Sequence, residues 1–129
     1  MNTKDTKADD RATVLIVDDT PDNLTLIAGL LKDRYNTKVA TSGATALQIV
    51  ASAKVDLILL DIMMPDMDGF ETCRRLKADP ASSAIPVLFL TAKGQAEDEV
   101  MGHKAGGVDF LRKPVSPQLL FARVAAHLR

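Results

Sequence analysis

The chain has 129 residues, of which 47% are hydrophobic and 26% charged, and its net charge is −1. This length suits one domain with a sizeable core, and the near-zero net charge excludes the basic excess typical of nucleic-acid and membrane binding. One cysteine, Cys73, excludes an internal disulfide framework and a multi-thiolate metal site, and no apolar run reaches the roughly 18 residues of a transmembrane helix.

The first residues of the chain are polar and charged. They lack the apolar core of a signal peptide, so we expect a cytoplasmic protein. Residues 1–11 are expected to form a disordered lead-in, followed by one domain over residues 12–129.

Five apolar runs of strand length follow, and a helical pattern comes after each one. The predicted strands cover residues 13–17, 37–40, 56–60, 85–90 and 108–111. The helix over residues 97–104 is less apolar than the others. Four helices are expected to begin at capping residues: Thr20, Ser42, Asp68 and Ser116. Side chains at helical spacing are expected to face the core: Leu24, Ile27, Leu30, Leu31, Ala46, Leu47, Val50, Ala51, Phe70, Cys73, Leu76, Leu120, Val124 and Leu128.

Regular alternation of strands and helices predicts an α/β fold with a parallel sheet covered on both faces. The commonest topology for five strands is the flavodoxin-like (βα)5 doubly wound sheet with strand order 2-1-3-4-5. The weakly apolar strand over residues 37–40 is then expected at an edge. The ends of strands 1 and 3 would face each other across the crevice where such folds bind ligands.

Polar side chains follow four of the predicted strands. Asp18 and Asp19 come after the first, Asp61 after the third, Thr91 after the fourth and Lys113 after the fifth. Because parallel strands share their carboxyl edge, we expect these side chains to meet.

Three carboxylates at close range repel one another unless one is protonated or a cation joins them. Oxygen donors without a thiolate pair select Mg²⁺, with Mn²⁺ as a substitute, and such sites often complete their shell with phosphate. The ammonium of Lys113, the hydroxyl of Thr91 and the N–H of Ala92 would suit phosphoryl oxygens. Asp61 as nucleophile would form an aspartyl phosphate.

Four segments, in order, resemble the response-regulator receiver domain family of two-component signalling, notably its chemotaxis regulators. The resemblance covers residues 12–128, nearly the whole chain. The segments are Val17-Asp18-Asp19, Leu60-Asp61-Ile62-Met63-Met64-Pro65 with Asp68-Gly69, Leu90-Thr91-Ala92, and Asp109-Phe110-Leu111-Arg112-Lys113-Pro114.

The resemblance implies that Asp61 takes a phosphoryl group from a phosphohistidine on a sensor histidine kinase or a histidine phosphotransfer protein. Asp19, Asp61 and the main-chain carbonyl of Met63 would bind Mg²⁺, with Asp18 assisting through water.

Further family roles concern the phosphoryl group and the switch. Thr91 and Lys113 would hold the phosphoryl group, and the backbone at positions 63 and 92 would contact it. Phe110 matches the switch aromatic, which rotates inward as Thr91 moves toward the phosphate. The Lys113–Pro114 bond would be cis.

The resemblance also implies a readout face, formed by the fourth helix, the fifth strand and the fifth helix. A downstream output domain or protein would bind there, and a homodimer could form through the same face. The family often has tyrosine at the position of Phe110, so any output contact that needs the hydroxyl is missing. The domain would be a signalling switch that catalyses only its own phosphorylation and dephosphorylation, without direct nucleic-acid or membrane binding.

Two other functions stay open. A haloacid-dehalogenase-type phosphatase also uses an aspartyl nucleophile, but it needs a second acid two positions later, where this chain has Met63, and a cap domain that does not fit in the length. A degenerate receiver could act only as a binding scaffold, although the complete set of acids, threonine and lysine argues against it. A nucleotide-binding P-loop motif is absent from the sequence.

Several other polar or sulfur-bearing residues are expected to be structural. Asp66 and Asp68 are assigned to a turn and a cap, His103 and His127 to surface or structural positions, and Cys73 to the core. The methionines of the loop after Asp61 are assigned to loop packing. No output domain follows the last helix within the sequence, which therefore fits a free-standing regulator or a piece of a larger protein.

Overall fold

Strands and helices alternate along the chain as predicted. The computed structural model describes residues 11–92 and 96–128, and of Ala96 only the backbone. The expected lead-in over residues 1–11 lies outside these ranges, except for Arg11. Arg129 also lies outside them. Within the described residues, the elements are β1 (Thr13–Val17), α1 (Pro21–Leu31), β2 (Asn36–Ala40), α2 (Gly43–Ser52), β3 (Leu57–Asp61), α3 (Gly69–Ala78), β4 (Val87–Thr91), α4 (Ala96–Ala105), β5 (Asp109–Arg112) and α5 (Pro117–His127).

The strands form one parallel sheet in the order β2-β1-β3-β4-β5. This is the flavodoxin-like order, and it confirms both the predicted topology and the edge position of β2. Strands β1, β3 and β4 are inside the sheet and almost wholly buried, which explains their continuous apolar sequences. Their carboxyl ends therefore lie along one edge.

Each face of the sheet carries its own apolar core, because successive strand side chains point to opposite faces. In β1, Leu15 and Val17 pack toward α2, α3 and α4, whereas Val14 and Ile16 pack toward α1 and α5. Cys73 belongs to the first core, as predicted. The two cores hold the strand ends in a fixed relation to one another.

Most residues that were predicted to face the core from a helix do so. The differences concern the exposure of a few of these side chains and the boundaries of two strands. Ala51 is exposed, and four residues are only half-buried against the two cores: Leu30, Leu47, Val50 and Leu128. The fourth and fifth strands begin and end one or two residues later than predicted, at Val87–Thr91 and Asp109–Arg112.

The described helices are at most 11 residues long and fall short of what a membrane-spanning segment needs.

The capping predictions hold for three helices and need correction for the first. Side-chain oxygens of Ser42, Asp68 and Ser116 accept hydrogen bonds from the first turns of α2, α3 and α5. Thr20 occupies the N-cap position of α1, but its side chain makes no capping bond. Its backbone N–H donates to Asp18 Oδ1 at 2.9 Å, so this residue helps to orient the Asp18 carboxylate.

Candidate functional site

Three carboxylates meet where β1 and β3 end. Val17 pairs with Leu60 across the two strands, so the residues that follow them, Asp18 and Asp61, lie at the same level. Ligand oxygens of Asp18, Asp19 and Asp61 all lie within 4.8 Å of one another. Asp18 is 0% exposed and Asp61 5%, whereas Asp19 faces solvent. The structure thus brings together the acids that the sequence placed 43 positions apart.

The ammonium of Lys113 lies inside this group of acids. Its Nζ donates to Asp18 Oδ2 at 2.8 Å and to Asp61 Oδ1 at 3.0 Å. The Lys113 N–H donates to the carbonyl of Thr91 at 2.7 Å, which fixes the end of β5 against the end of β4. The Lys113–Pro114 peptide bond is cis, as the resemblance implied.

Burial and charge act in opposite directions on these groups. Burial raises the pKa of Asp61, and although the hydrogen bond from Lys113 lowers it, the nearby carboxylates of Asp18 and Asp19 help to keep it above the ordinary value. Burial lowers the pKa of Lys113, but its hydrogen bonds to Asp18 and Asp61 outweigh this and leave that pKa raised. One ammonium faces three carboxyl groups, so the formal charge of the cluster is negative, which favours a cation.

A cavity of about 370 Å³ opens beside Asp61. Thr91, which is 6% exposed at the end of β4, lines it together with Ala92 and Lys113. Met63 also lines it and is 76% exposed, so its side chain stands at the entrance. Asp61, Thr91 and Lys113 thus line one space large enough for a phosphoryl group, and Asp18 and Asp19 lie next to it, beside Asp61.

Asp68 and Gly69 position the loop that follows Asp61. The Asp68 carboxylate accepts from the N–H of Glu71 at 2.8 Å, which is one half of the reciprocal pair of bonds called a capping box. The Glu71 carboxylate bonds to Arg74 and Arg75 instead of completing the box. A Cβ at position 69 would lie 2.2 Å from the Asp61 carbonyl oxygen, so only glycine allows α3 to begin this close to the acid. Asp66, with φ of 69°, is the turn residue predicted.

Two polar residues near the site were not identified from the sequence. Asn23 donates from Nδ2 to Asp18 Oδ2 at 3.2 Å and so helps to orient the most buried acid. Its position in the first turn of α1, five residues after Asp18, is the signal that could have identified it. Asp98, on α4, lines the cavity beside Asp61 and Lys113.

Phe110 lies apart from the acids, one strand beyond Thr91. It pairs with Phe89 across β4 and β5, and the two rings stack with centroids 5.6 Å apart and an interplanar angle of 23°. The His103 ring of α4 contacts it in a T-shaped arrangement, with centroids 5.3 Å apart and an interplanar angle of 75°. The half-buried ring therefore links α4 to the strand that ends in Thr91.

The donors present fit a hard divalent cation. All three acids offer carboxylate oxygens, the oxygens converge within 4.8 Å, and no thiolate or imidazole belongs to the cluster among the residues described. Such donors suit Mg²⁺ or Mn²⁺.

Comparison with known proteins gives one consistent family. The model of the response regulator receiver domain matches residues 14–125. A Vibrio cholerae protein named "Probable cyclic di-GMP phosphodiesterase" is 47% identical over 119 residues, which are 92% of this chain and 27% of that protein. Response regulator PleD of Caulobacter vibrioides is 44% identical over 92% of this chain and 26% of its own length. The chain thus spans about a quarter of these two relatives.

The family assignment is also supported by a solved structure that matches over nearly its whole length. Chemotaxis protein CheY4 of Vibrio cholerae superposes with a TM-score of 0.88 at 30% identity, over 92% of this chain and 99% of that one. This chain combines the five-stranded order with acids at the ends of β1 and β3 and a lysine after β5. It also matches the family model over most of its length. The chain belongs to the response regulator receiver domain family.

Proposed function

We propose that Asp61 accepts a phosphoryl group from a phosphohistidine and that the modified domain acts as a switch. Receiver domains of response regulators are signalling switches in two-component systems. The observation that carries the proposal is the position of the Lys113 ammonium, within hydrogen-bonding distance of both Asp18 and Asp61 at the mouth of a cavity. A fixed positive charge beside a buried carboxylate suits a reaction in which negative charge gathers on phosphoryl oxygens.

The transfer is an in-line displacement at phosphorus. A carboxylate oxygen of Asp61 forms the new P–O bond, the P–N bond of the phosphohistidine breaks, and the imidazole leaves with the electron pair and takes up a proton. Lys113 neutralises charge on the phosphoryl oxygens, and the Thr91 hydroxyl and the Ala92 N–H donate hydrogen bonds to them. Hydrolysis of the resulting acyl phosphate returns the domain to its starting state, so it catalyses only its own modification.

Receiver domains generally bind Mg²⁺ at an acidic pocket. In this chain the carboxylates of Asp18, Asp19 and Asp61 and the main-chain carbonyl of Met63 would hold Mg²⁺ or Mn²⁺, with the oxygens of Asp18 oriented by Asn23. When bound, the cation supplies positive charge that offsets the carboxylates and the incoming phosphoryl group. The converging oxygens of the acids support this assignment.

The switch would operate through Thr91 and Phe110. Thr91 moves toward the phosphoryl group, and conformations with Phe110 inward against Phe89, as in this structure, gain population. The surface formed by α4, β5 and α5 changes with them. A sensor histidine kinase or histidine phosphotransfer protein supplies the phosphoryl group. An output domain, an output protein or a second copy of the chain reads that surface, in the cytoplasm.

The two alternatives have less support. Met63 occupies the position where a phosphatase of the haloacid-dehalogenase type needs its second acid. A scaffold without phosphotransfer has no need for three acids and a lysine brought together from three segments. The activity in the name of the Vibrio relative belongs to a protein of which the residues matched by this chain are only 27%.

The test uses phosphoramidate, a small donor with a P–N bond, and Mg²⁺. The wild-type chain is expected to incorporate one phosphoryl group per molecule, and Asp61→Asn none. Asp66→Asn is the matched control, because Asp66 is an exposed turn residue whose positive φ asparagine also tolerates. Unchanged incorporation in Asp61→Asn would contradict the assignment, and no incorporation in the wild type would favour the scaffold.

A further inference from the structure

The ring of Phe110 occupies the space next to the backbone of Gly102 in α4. A Cβ built on Gly102 would lie 2.4 Å from Cζ and 2.7 Å from Cε2 of Phe110, and 3.1 Å from Cδ2 of Phe89. Side-chain atoms do not approach a Cβ this closely. The stacked position of Phe110 on Phe89 therefore requires that residue 102 have no side chain.

The C-terminal end of helix α4 is regular and packs closely on the core. Its end is closed by two hydrogen bonds, from the Gly107 N–H to the Gly102 carbonyl at 2.9 Å and from the Gly106 N–H to the His103 carbonyl at 3.0 Å. A Cβ at Gly107 would lie 2.4 Å from Cε2 of Phe89. The helix end thus already packs against the core as closely as glycine allows.

The side chain of Phe110, by contrast, can change its rotamer. The atoms that a methyl group at position 102 would meet are at the tip of its ring, which side-chain rotation can move outward without any change in the backbone. The ring is only half-buried in its present position. A side chain at position 102 should accordingly displace the ring rather than the helix.

We propose that Gly102 is a positioning residue for the switch: the absence of a side chain there provides the inward position of Phe110. This inference rests on the proposed function, in which Phe110 moves inward as Thr91 moves toward the phosphoryl group. Glycine is otherwise unfavourable inside a helix, which is consistent with a specific steric requirement.

The consequence for the phosphorylation site follows from linkage. If the inward ring and the bound phosphoryl group favour the same conformation, a change that lowers the population of the inward ring weakens phosphoryl binding in proportion to the population lost. Gly102→Ala should therefore lower the affinity for beryllofluoride, a stable mimic of the phosphoryl group, although residue 102 does not line the site cavity.

The experiment compares Gly102→Ala with Gly29→Ala in the full chain. Gly29 also lies inside a helix, but a Cβ there would meet nothing within 4 Å, so it controls for the general effect of alanine in a helix. Nuclear Overhauser effects between the Phe110 ring and the backbone of residue 102 report the ring position, and titration with beryllofluoride and Mg²⁺ reports affinity. Gly102→Ala should lose the ring contact and bind about five to ten times more weakly, at the lower end of ordinary allosteric coupling. Gly29→Ala should match the wild type in both measurements.

A second substitution tests the steric cause. Phe110→Leu removes Cε2 and Cζ, the atoms that would collide with a methyl group at position 102. Gly102→Ala should then have no further effect on affinity in the Phe110→Leu background. If Gly102→Ala alone fails to fold, recovery of the fold in the double variant supports the contact and continued failure contradicts it.

The outcomes separate this inference from the proposed function. A wild-type chain that gives no spectral response to beryllofluoride and Mg²⁺ would contradict the proposed function and the inference with it. A wild type that responds, with Gly102→Ala binding equally tightly or keeping its ring contact, would overturn only the role of Gly102.

Discussion

Lys113 and Asp61 are 52 positions apart in the chain, yet the lysine Nζ lies 3.0 Å from a carboxylate oxygen of the aspartate. β5 and β3 are not adjacent, and β4 lies between them, so the lysine side chain reaches across the end of one strand. Thr91 ends that intervening strand and accepts a hydrogen bond from the lysine backbone. The proposed nucleophile, hydroxyl donor and ammonium are therefore held by successive strands of one sheet.

Removing the ammonium should slow phosphoryl transfer. Lys113→Met keeps the length of the side chain but leaves the charge on the phosphoryl oxygens uncompensated, and we expect the rate of phosphorylation by phosphoramidate to fall about 100-fold or more. The rate is measured with and without excess Mg²⁺. Lys54→Met is the control, since the Lys54 side chain is 87% exposed. Equal rates in Lys113→Met and the wild type would argue against a role for the lysine.

Divalent metal should stabilise the fold through the acids. We expect Mg²⁺ at about 100 times its dissociation constant to raise the free energy of unfolding by about 2.7 kcal/mol. Asp18→Asn and Asp19→Asn should each weaken this effect, whereas Asp66→Asn should not. Thermal denaturation with Mg²⁺ or with a chelator measures it, and equal stabilisation of all four proteins would show that the metal binds elsewhere.

The close approach of α3 to Asp61 should make Gly69 intolerant of a side chain. A methyl group at this position would meet backbone atoms of Asp61 and Ile62, which cannot rotate away. We expect Gly69→Ala to lower the free energy of unfolding by about 1–3 kcal/mol, as overpacking does, and to reduce phosphorylation. Urea denaturation measures the first effect. The matched substitution Gly29→Ala should instead be neutral or stabilising, because the space around it is open.

Asp109 should give the fold a dependence on acid pH. Arg123 Nη1 lies 2.6 Å from its Oδ1, and His127 Nε2 lies 2.9 Å from its Oδ2. Burial raises the pKa of Asp109, but hydrogen bonds from His127, the Phe110 N–H and Arg123 outweigh this and leave the pKa below its ordinary value of 3.8. The resulting stability is present above the unfolded-state pKa and is lost as pH falls through the lower, folded-state pKa.

Asp109→Asn should therefore lower the free energy of unfolding at neutral pH by about 1–2 kcal/mol, because solvent screening at this part-exposed site reduces the roughly 1.5–3 kcal/mol of hydrogen bonds to charged groups. It should also make the loss of stability at acid pH less steep. Urea denaturation across this pH range measures both effects, with the exposed turn residue changed in Asp33→Asn as control. A pH profile of Asp109→Asn parallel to that of the wild type would contradict the assignment.

The sheet and the position of the acids could be predicted from the sequence because they depend on short-range patterns. Continuous apolar runs identify strands buried on both faces, and alternation with helices leaves few topologies. Once the order is known, residues that directly follow strands, such as Asp18 and Asp61, must meet at one edge. The family resemblance added the roles of individual residues, above all that of Phe110.

Contacts that depend on side-chain direction could not be predicted in this way. Asn23 belongs to the site only because the first turn of α1 aims its amide at Asp18. Thr20 has the residue type of a cap, yet its side chain makes no capping bond and its backbone N–H donates to the Asp18 carboxylate. Gly102 resembles any helical glycine in the sequence, and its significance depends on the ring of Phe110 eight positions later.

The most direct test of phosphoryl transfer to Asp61 is chemical trapping of the product. Borohydride reduces an aspartyl phosphate to homoserine, so the chain is phosphorylated with phosphoramidate and Mg²⁺, treated with borohydride, digested and analysed by mass spectrometry. We predict homoserine at position 61 and unmodified aspartate at positions 18 and 19. Homoserine at another position, or intact aspartate at position 61 in a chain that has incorporated phosphate, would contradict the central claim.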